Sequence, residues 1–372
     1  MQLTHFRRTL LTMRLFSSPN NVHPPSQYVL DTDGSKWRLC AGCAVFNSRN
    51  ELLIGERIGK QGSWQAPQGG VDATVTNGEM ETVAQAAARE LFEEVGLETG
   101  KHVLLETLMT PMKCRYKTEG TKSWLEKAGF AGQELNWIAF RCADSGLETD
   151  PNSACNLSGL NGEAAEFSSV KWKSLDWVIE NVWEAKRGPY EALRDGCVHI
   201  NKNWEDRCAQ FDLSGKWYRD STRSEGLKEA LMARGISEET AIKHAEEPYV
   251  QKWQRLKANG PSEFKVITYD RDTGTIRREL IYPIGKFKEV YEGKSMLFGG
   301  SDGGLIERQC FYCAEQDADD KIAHVTMSVT PRGREESRRF VRNGELVLRR
   351  SFWHSWRTDK IVSTEVFVKC LE

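Results

Sequence analysis

The chain is expected to be α+β in class: a mixed helix-and-strand part followed by a second, mostly antiparallel β part. Three observations carry this. Ala84, Ala88, Leu91 and Val95 recur at helical spacing, and two β-rich runs at 37–57 precede them. From Ser214 onward the sequence turns into short β-rich runs separated by turn residues. At 372 residues the chain is too long for one small domain, and two is the natural division.

The first 30 residues contain Arg7, Arg8 and Arg14, several Ser and Thr, and no Asp or Glu. That is the composition of a mitochondrial transit peptide, expected over 1–30 with cleavage near Arg14-Leu15-Phe16-Ser17. No long uninterrupted apolar core follows the arginines, which argues against a secretory signal. No later run is long and apolar enough to span a membrane. Charge is about −8 over 31–213 and about +3 over 214–372. Neither half is a strongly basic nucleic-acid surface.

Residues 37–57 read as two strands around an Asn47-Ser48-Arg49-Asn50 turn. Cys40-Cys43 and Cys310-Cys313 have C-x-x-C spacing, but in strands i and i+3 point to opposite faces. They are expected to be buried small hydrophobes of a reducing compartment rather than a zinc pair. In the helix, Glu90, Glu93 and Glu94 fall at i, i+3 and i+4, so their carboxylates share one stripe. Bunched carboxylates repel one another, and Mg²⁺ or Mn²⁺ removes the repulsion because hard cations prefer carboxylate oxygen. Gly96 is placed to end the helix.

The order Glu81, seven residues, Arg89-Glu90-Leu91-Phe92-Glu93-Glu94-Val95-Gly96-Leu97 resembles the Nudix box, with Gly69 six residues farther from Glu81 than usual. The extra residues, near 73–77, are expected to bulge as a loop. Around the box, Trp37-Arg38 with Gly42, and Trp64-Gln65-Ala66-Pro67-Gln68-Gly69-Gly70, resemble bacterial RNA pyrophosphohydrolases and plant-type dinucleoside tetraphosphate hydrolases. So do Arg115-Tyr116-Lys117, Gly132-Gln133 with Trp137, and Glu166-Phe167 before Trp172. Tyr190 follows on a closing helix, roughly 175–194.

This likeness implies a Nudix α/β/α sandwich over 31–200. It implies that Glu90, Glu93 and Glu94, with a carbonyl near Gly69, hold Mg²⁺ or Mn²⁺. Arg89 would pair with Glu81 and orient the helix, and Glu166 would serve as ligand or general base. Arg38, Arg57 and Lys117 would hold phosphates, and Tyr116 or Trp137 would stack on a base. The implied reaction is metal-dependent phosphoanhydride hydrolysis, with pyrophosphate removed from the 5′-triphosphate end of RNA. A dinucleoside polyphosphate or free-nucleotide hydrolase is the alternative enzyme, and a non-catalytic RNA 5′-end-binding scaffold the alternative of another class. With the basic leader, the expected setting is the mitochondrial matrix, in mRNA processing and stability. An RNA-binding partner protein in a larger complex is expected there, and no membrane.

Residues 201–213 read as a polar linker. Within 214–372, Gly215-Lys216-Trp217 opens a strand. Two short helices follow, about 224–234 and 237–247, and then roughly nine β-rich runs with turns such as Asn343-Gly344. This order resembles the fatty-acid-binding branch of the calycin barrels. The family's T-R-x-Y ligand signature is replaced by Thr364-Glu365-Val366-Phe367, which argues against lipid carriage. Arg332, Arg334, Arg338, Arg339, Arg342, Arg349 and Arg350 cluster in sequence, either as an RNA or phosphate patch or as a solvated hairpin.

Overall fold

In the computed structural model the described residues are 25–370, except 74, 77–78, 107–111, 119–122, 248, 258–260, 271–272, 292–302 and 356–358. Nearly all of the expected leader, part of the box insertion, and Arg7, Arg8 and Arg14 lie outside them.

The first half comprises β1 (Tyr28–Leu30), β2 (Lys36–Phe46), β3 (Leu52–Arg57), β4 (Trp64–Gln65), β5 (Gln68–Gly70), β6 (Val75–Thr76), β7 (Glu79–Met80) and α1 (Val83–Val95). It continues with β8 (Val103–Leu105), β9 (Met112–Lys117), α2 (Trp124–Lys127), β10 (Gly132–Cys142), α3 (Ser145–Thr149), α4 (Pro151–Ala154), β11 (Phe167–Lys173), α5 (Leu175–Asn181) and α6 (Arg187–Gln210). The spine is the parallel pair β2 and β10, in register from Trp37 opposite Gly132 to Phe46 opposite Arg141. Both faces of this pair are apolar, as a sheet covered on both sides requires. Ala41, Cys43 and Val45 pack against Ala86, Ala87, Leu91 and Val95 of α1. Cys40, Ala44 and Phe46 pack against α5 and α6. This is the α/β/α sandwich, and it puts Cys40 and Cys43 on opposite faces as their spacing predicts. The insertion before α1 is not a plain loop, since β6 and β7 pair as a short hairpin.

The second half adds β12 (Gly215–Glu225), α7 (Leu227–Ala233), α8 (Glu238–Glu246), β13 (Tyr249–Arg255), β14 (Phe264–Asp270), β15 (Ile276–Tyr282) and β16 (Gly285–Val290). It ends with β17 (Leu305–Ala314), β18 (Ile322–Thr330), β19 (Gly333–Arg342), β20 (Glu345–His354) and β21 (Lys360–Lys369). These ten strands form one antiparallel sheet in the order β15-β14-β13-β12-β21-β20-β19-β18-β17-β16. The two end strands, β15 and β16, are consecutive in the chain, and Arg278 of one ion-pairs with Glu289 of the other. Trp217, Trp253, Phe264, Tyr282, Tyr312 and Phe367 fill the interior.

Two sequence expectations need correction. Residues 201–210 are not a linker but the last turns of the 24-residue α6. Ile200, Trp204 and Cys208 are buried at i, i+4 and i+8, a stripe masked by the charged residues between them. Tyr190, Leu193, Cys197 and Ile200 belong to the sandwich core, whereas Trp204 and Cys208 belong to the barrel core. One helix thus enters both. The arginine run of the barrel is likewise not one open patch: Arg334 and Arg342 are exposed, but four others are tied up within the barrel. Arg338 pairs with Glu336 and Glu315, Arg349 with Glu315 and Asp317, and Arg350 with Glu335 and Glu365. Arg339 is 4 % exposed. Glu365 is itself buried between Arg219 and Arg350.

The halves are also joined by polar contacts. Arg338 donates to the carbonyl of Ala143, and Ser145 donates to Glu336. Replacing Arg338 strands Glu336 and leaves the Ala143 carbonyl without its guanidinium. Arg338→Met is therefore expected to lower stability by about 3–5 kcal/mol, the usual effect of breaking a buried pair. Urea unfolding checks it, and a loss under about 1 kcal/mol contradicts the joint described here.

Candidate active site

Helix α1 is delimited at both ends by its own sequence. Thr82 and Gln85 form a capping box, with Gln85 N–H donating to Thr82 Oγ1 at 3.3 Å and Thr82 N–H to Gln85 Oε1 at 2.8 Å. Gly96 closes the helix at φ 72°, a left-handed conformation. With its ends set, the helix presents Arg89, Glu90, Glu93 and Glu94 toward the turn that carries Gly69 and Gly70.

Arg89 is the hub. Its Nε donates to Glu81 Oε1 at 2.8 Å, and Nη1 donates to Glu90 Oε1 at 2.7 Å and Glu93 Oε2 at 2.9 Å. Nη2 donates to the Gly70 carbonyl at 2.7 Å and to Glu81 Oε2 at 3.1 Å. The pairing with Glu81 is the one the family resemblance implies. Glu81 in turn accepts the Asp72 N–H at 2.6 Å, so the turn and the helix are laced together. Glu94 accepts the Gln68 N–H at 3.1 Å, and Asn161 donates to Glu93 at 3.3 Å. Gly69 meets the requirement for close approach: a Cβ there would lie 2.0 Å from the Glu90 carboxylate.

Burial dominates the electrostatics. Desolvation pushes Glu90 up to about 7, against the pull of Arg89, and raises Glu93. Glu94 is raised well above the usual carboxylate range, first by burial and then by the like charges of Glu166 and Glu90. Among the described residues no three His, Cys, Asp or Glu side chains are gathered as a ready cation cage, because Arg89 takes up Glu90 and Glu93. The donor set nevertheless fits Mg²⁺ or Mn²⁺: the carboxylates supply hard oxygen ligands, and in their desolvated, mutually repelling state a cation is the missing counter-charge.

Glu166 ion-pairs with Arg57, and Ile58 N–H donates to the Glu166 carbonyl at 2.9 Å, which ties the β11 approach to the end of β3. Arg38 donates to Ser26 Oγ at 3.0 Å and lies over the Trp124 ring at 5.0 Å. A Cβ on Gly70 would meet its guanidinium at 2.0 Å, so Arg38 borders the same turn. Three assignments differ. Trp137 is 1 % exposed, packs on Gly42 and donates its indole N–H to the Pro189 carbonyl at 3.0 Å, so it is core and cannot stack on a base. Tyr116 is 7 % exposed, with its hydroxyl donating to Gln133, so it lines the interior instead of offering a stacking face. Lys117 is exposed on the face of β9 opposite Tyr116, and no described contact joins it to the carboxylates.

Lys186 was not legible in sequence. It sits in a single 3₁₀ turn before α6 and donates Nζ to Gln65 Oε1 at 2.7 Å. By exposed area the residue is half-buried, with its ammonium on Gln65 and 5.8 Å from the Tyr116 ring. Enclosure and the Arg57 charge push it down to about 8, against the pull of Glu94 and Glu166. The only sequence signal is its place four residues before Tyr190, whose hydroxyl accepts the Ala66 N–H at 2.7 Å.

Two outcomes are expected. Gly69→Ala displaces Glu90 and lowers kcat by about a hundredfold, the scale of an ångström misplacement; circular dichroism should show the fold intact, and near-normal kcat contradicts the tight fit. Lys186→Met raises the melting temperature, since a cation no longer has to be desolvated. The folded value near 8 lies below the unfolded 10.5, so the penalty is full below about pH 8 and fades toward 10.5. The gain should follow that window, and a pH-independent gain contradicts it.

Residues 36–194 match the NUDIX domain. The RNA pyrophosphohydrolase of Tolumonas auensis is 34 % identical over 187 residues, covering 50 % of this chain and 99 % of that protein. The RNA pyrophosphohydrolase of Rickettsia bellii is 30 % identical over 161 residues, covering 42 % and 87 %. Among solved structures, the REP1-NXSQ fatty acid transporter is 15 % identical at a TM-score of 0.30, covering 43 % of this chain and 98 % of its own. Fatty-acid-binding protein 1 of Echinococcus granulosus is 15 % identical at the same TM-score and coverage. The box from Glu81 to Leu97, the Arg89-centred carboxylates and the matched span agree: this chain belongs to the Nudix hydrolase family.

Proposed function

We propose that this Nudix hydrolase removes pyrophosphate from the 5′-triphosphate end of RNA. The observation that carries the reading is the carboxylate set of half-buried Glu90 and buried Glu93 and Glu94, bordered by three cations, Arg38, Arg57 and Lys186, suited to a phosphate chain. Similarity to proteins named RNA pyrophosphohydrolase supports reading the substrate as an RNA end and not a dinucleotide.

Glu90, Glu93 and Glu94, with a carbonyl of the Gly69 turn, would hold Mg²⁺ or Mn²⁺. When bound, the metal supplies charge neutralisation along the phosphate chain and a more acidic water. Arg57, Lys186 and Arg38 bind and align the phosphates. Glu166 accepts the proton of the attacking water, and its pairing with Arg57 orients its carboxylate for that task. Arg89 holds the helix to the turn and touches no substrate. The reading extends to the mitochondrial matrix, on the strength of the basic, acid-free leader, and to mRNA processing and stability with an RNA-binding partner protein. The order of leader, Nudix domain and trailing barrel resembles the Nudix-type mitochondrial edited-mRNA stability factor of kinetoplastids.

The test is a matched assay of a 5′-triphosphate RNA oligomer, diadenosine tetraphosphate and free nucleotides with Mg²⁺ or Mn²⁺. RNA is expected to turn over fastest. Preference for the dinucleotide moves the protein to nucleotide hydrolysis, and RNA binding without turnover makes it a 5′-end scaffold. Glu94→Gln is expected to abolish turnover without loss of melting temperature, because the site already disfavours a charge at that position. Full activity of that variant at saturating Mn²⁺ contradicts the assignment.

A further inference from the structure

Burial removes Trp137 and Tyr116 as base-stacking residues, yet an RNA end brings a base that needs a face. The same side of the sheet supplies one. Tyr28, Arg38, Gln133 and Tyr116 form a row across β1, β2, β10 and β9, in direct register. The inner end of this row leads to the catalytic turn: Gln68, whose N–H holds Glu94, donates its side-chain amide to the Tyr116 hydroxyl at 3.4 Å. The outer end reaches the surface. Tyr28 is 50 % exposed, and Trp124, over which Arg38 lies, is 43 % exposed.

Phe130 sets the two exposed rings. It meets Trp124 at 6.5 Å and 81° and Tyr28 at 6.4 Å and 65°, both edge-on. An edge-on contact fixes a ring without lying flat on it. Cations are interleaved: Lys36 Nζ stands 5.3 Å from the Tyr28 ring, and Arg38 lies between Trp124 and Gly70, whose carbonyl is bound by Arg89. Large exposed aromatics between cations, one guanidinium away from a phosphate-cleaving centre, are the elements of a single-strand nucleic-acid platform. The bland alternative, stray surface aromatics, does not explain why both rings lie on the Arg38 face and beside the turn.

We propose that Trp124 is the stacking platform for the terminal nucleobase of the RNA substrate, with Arg38 passing from the ring to the phosphates and Tyr28 extending the surface to the next base. The proposal rests on the RNA reading above. A nucleotide whose phosphates lie over Glu90 and Glu94 has its base one sugar away, at Arg38 and Trp124.

The experiment uses the full chain with two 5′-triphosphate oligomers, one intact and one abasic at its first two positions, and reads turnover and equilibrium binding. Trp124→Ala is expected to raise KM and Kd for the intact oligomer about tenfold, the factor of roughly 1.4 kcal/mol. kcat should move less than KM, and Trp124→Phe should recover most of the loss. On the abasic oligomer, wild type and Trp124→Ala should coincide. Equal affinity of the two proteins for the intact oligomer overturns the platform, as does an equal loss on both oligomers. If no RNA is hydrolysed, the RNA-hydrolysis reading fails, and the binding measurement alone still decides whether Trp124 holds a base.

Discussion

One guanidinium organises the first half of the chain. Arg89 meets Glu81, Glu90, Glu93 and the Gly70 carbonyl at hydrogen-bond distance. Without it, three carboxylates and a carbonyl would face one another in a poorly hydrated space, and each would lose its solvation with nothing in return. With it, the N-terminal turn and α1 become one unit, and the acidic residues are held together around one positive charge. The same arrangement keeps Glu94 apart from Arg89, on the Gln68 N–H and among like charges. A site built this way has an unmet demand for positive charge, of the kind a divalent cation would meet.

The second constraint is that the domains share structure. Helix α6 starts in the sandwich core and ends in the barrel core, where Phe211 just beyond it packs on Phe264 and Tyr312 at 6.1 and 5.4 Å. Arg141 of β10, 1 % exposed, donates to the Asn47 carbonyl at 2.9 Å and lies 4.7 Å from the Trp204 ring. Lys186 and Tyr190 stand at the head of this helix assembly, against Gln65 and Ala66 just before the Gly69-Gly70 turn. The barrel therefore shares a helix and polar contacts with the sandwich that carries the site.

Much of this was legible in sequence, for identifiable reasons. The box is local, so its helix, cap and stop can be read from spacing, and the Arg89–Glu81 pair follows from the family pattern. The strand-borne cysteines were legible because period two fixes their faces. What failed was long-range. The buried stripe of α6 is diluted by Lys202, Glu205, Asp206 and Arg207, so a helix looked like a linker. The barrel arginines look like a basic surface until β17 to β21 pair and bring Glu315 and Glu365 among them, beside the neighbouring Glu335 and Glu336. Trp137 and Trp124 are both tryptophans near a motif, and only the fold shows that Gly42 makes room for the first while the second stays at the surface. Lys186 carries no motif that chemistry alone would flag.

The central claim is that the carboxylates around Arg89 cleave a phosphoanhydride at an RNA 5′ end. Mass spectrometry of the products from a 5′-triphosphate oligomer incubated with Mn²⁺ tests it most directly. The account predicts a 5′-monophosphate oligomer and intact pyrophosphate, formed in equal amounts. Stepwise release of orthophosphate, or an oligomer unchanged at its 5′ end while still bound, would contradict it.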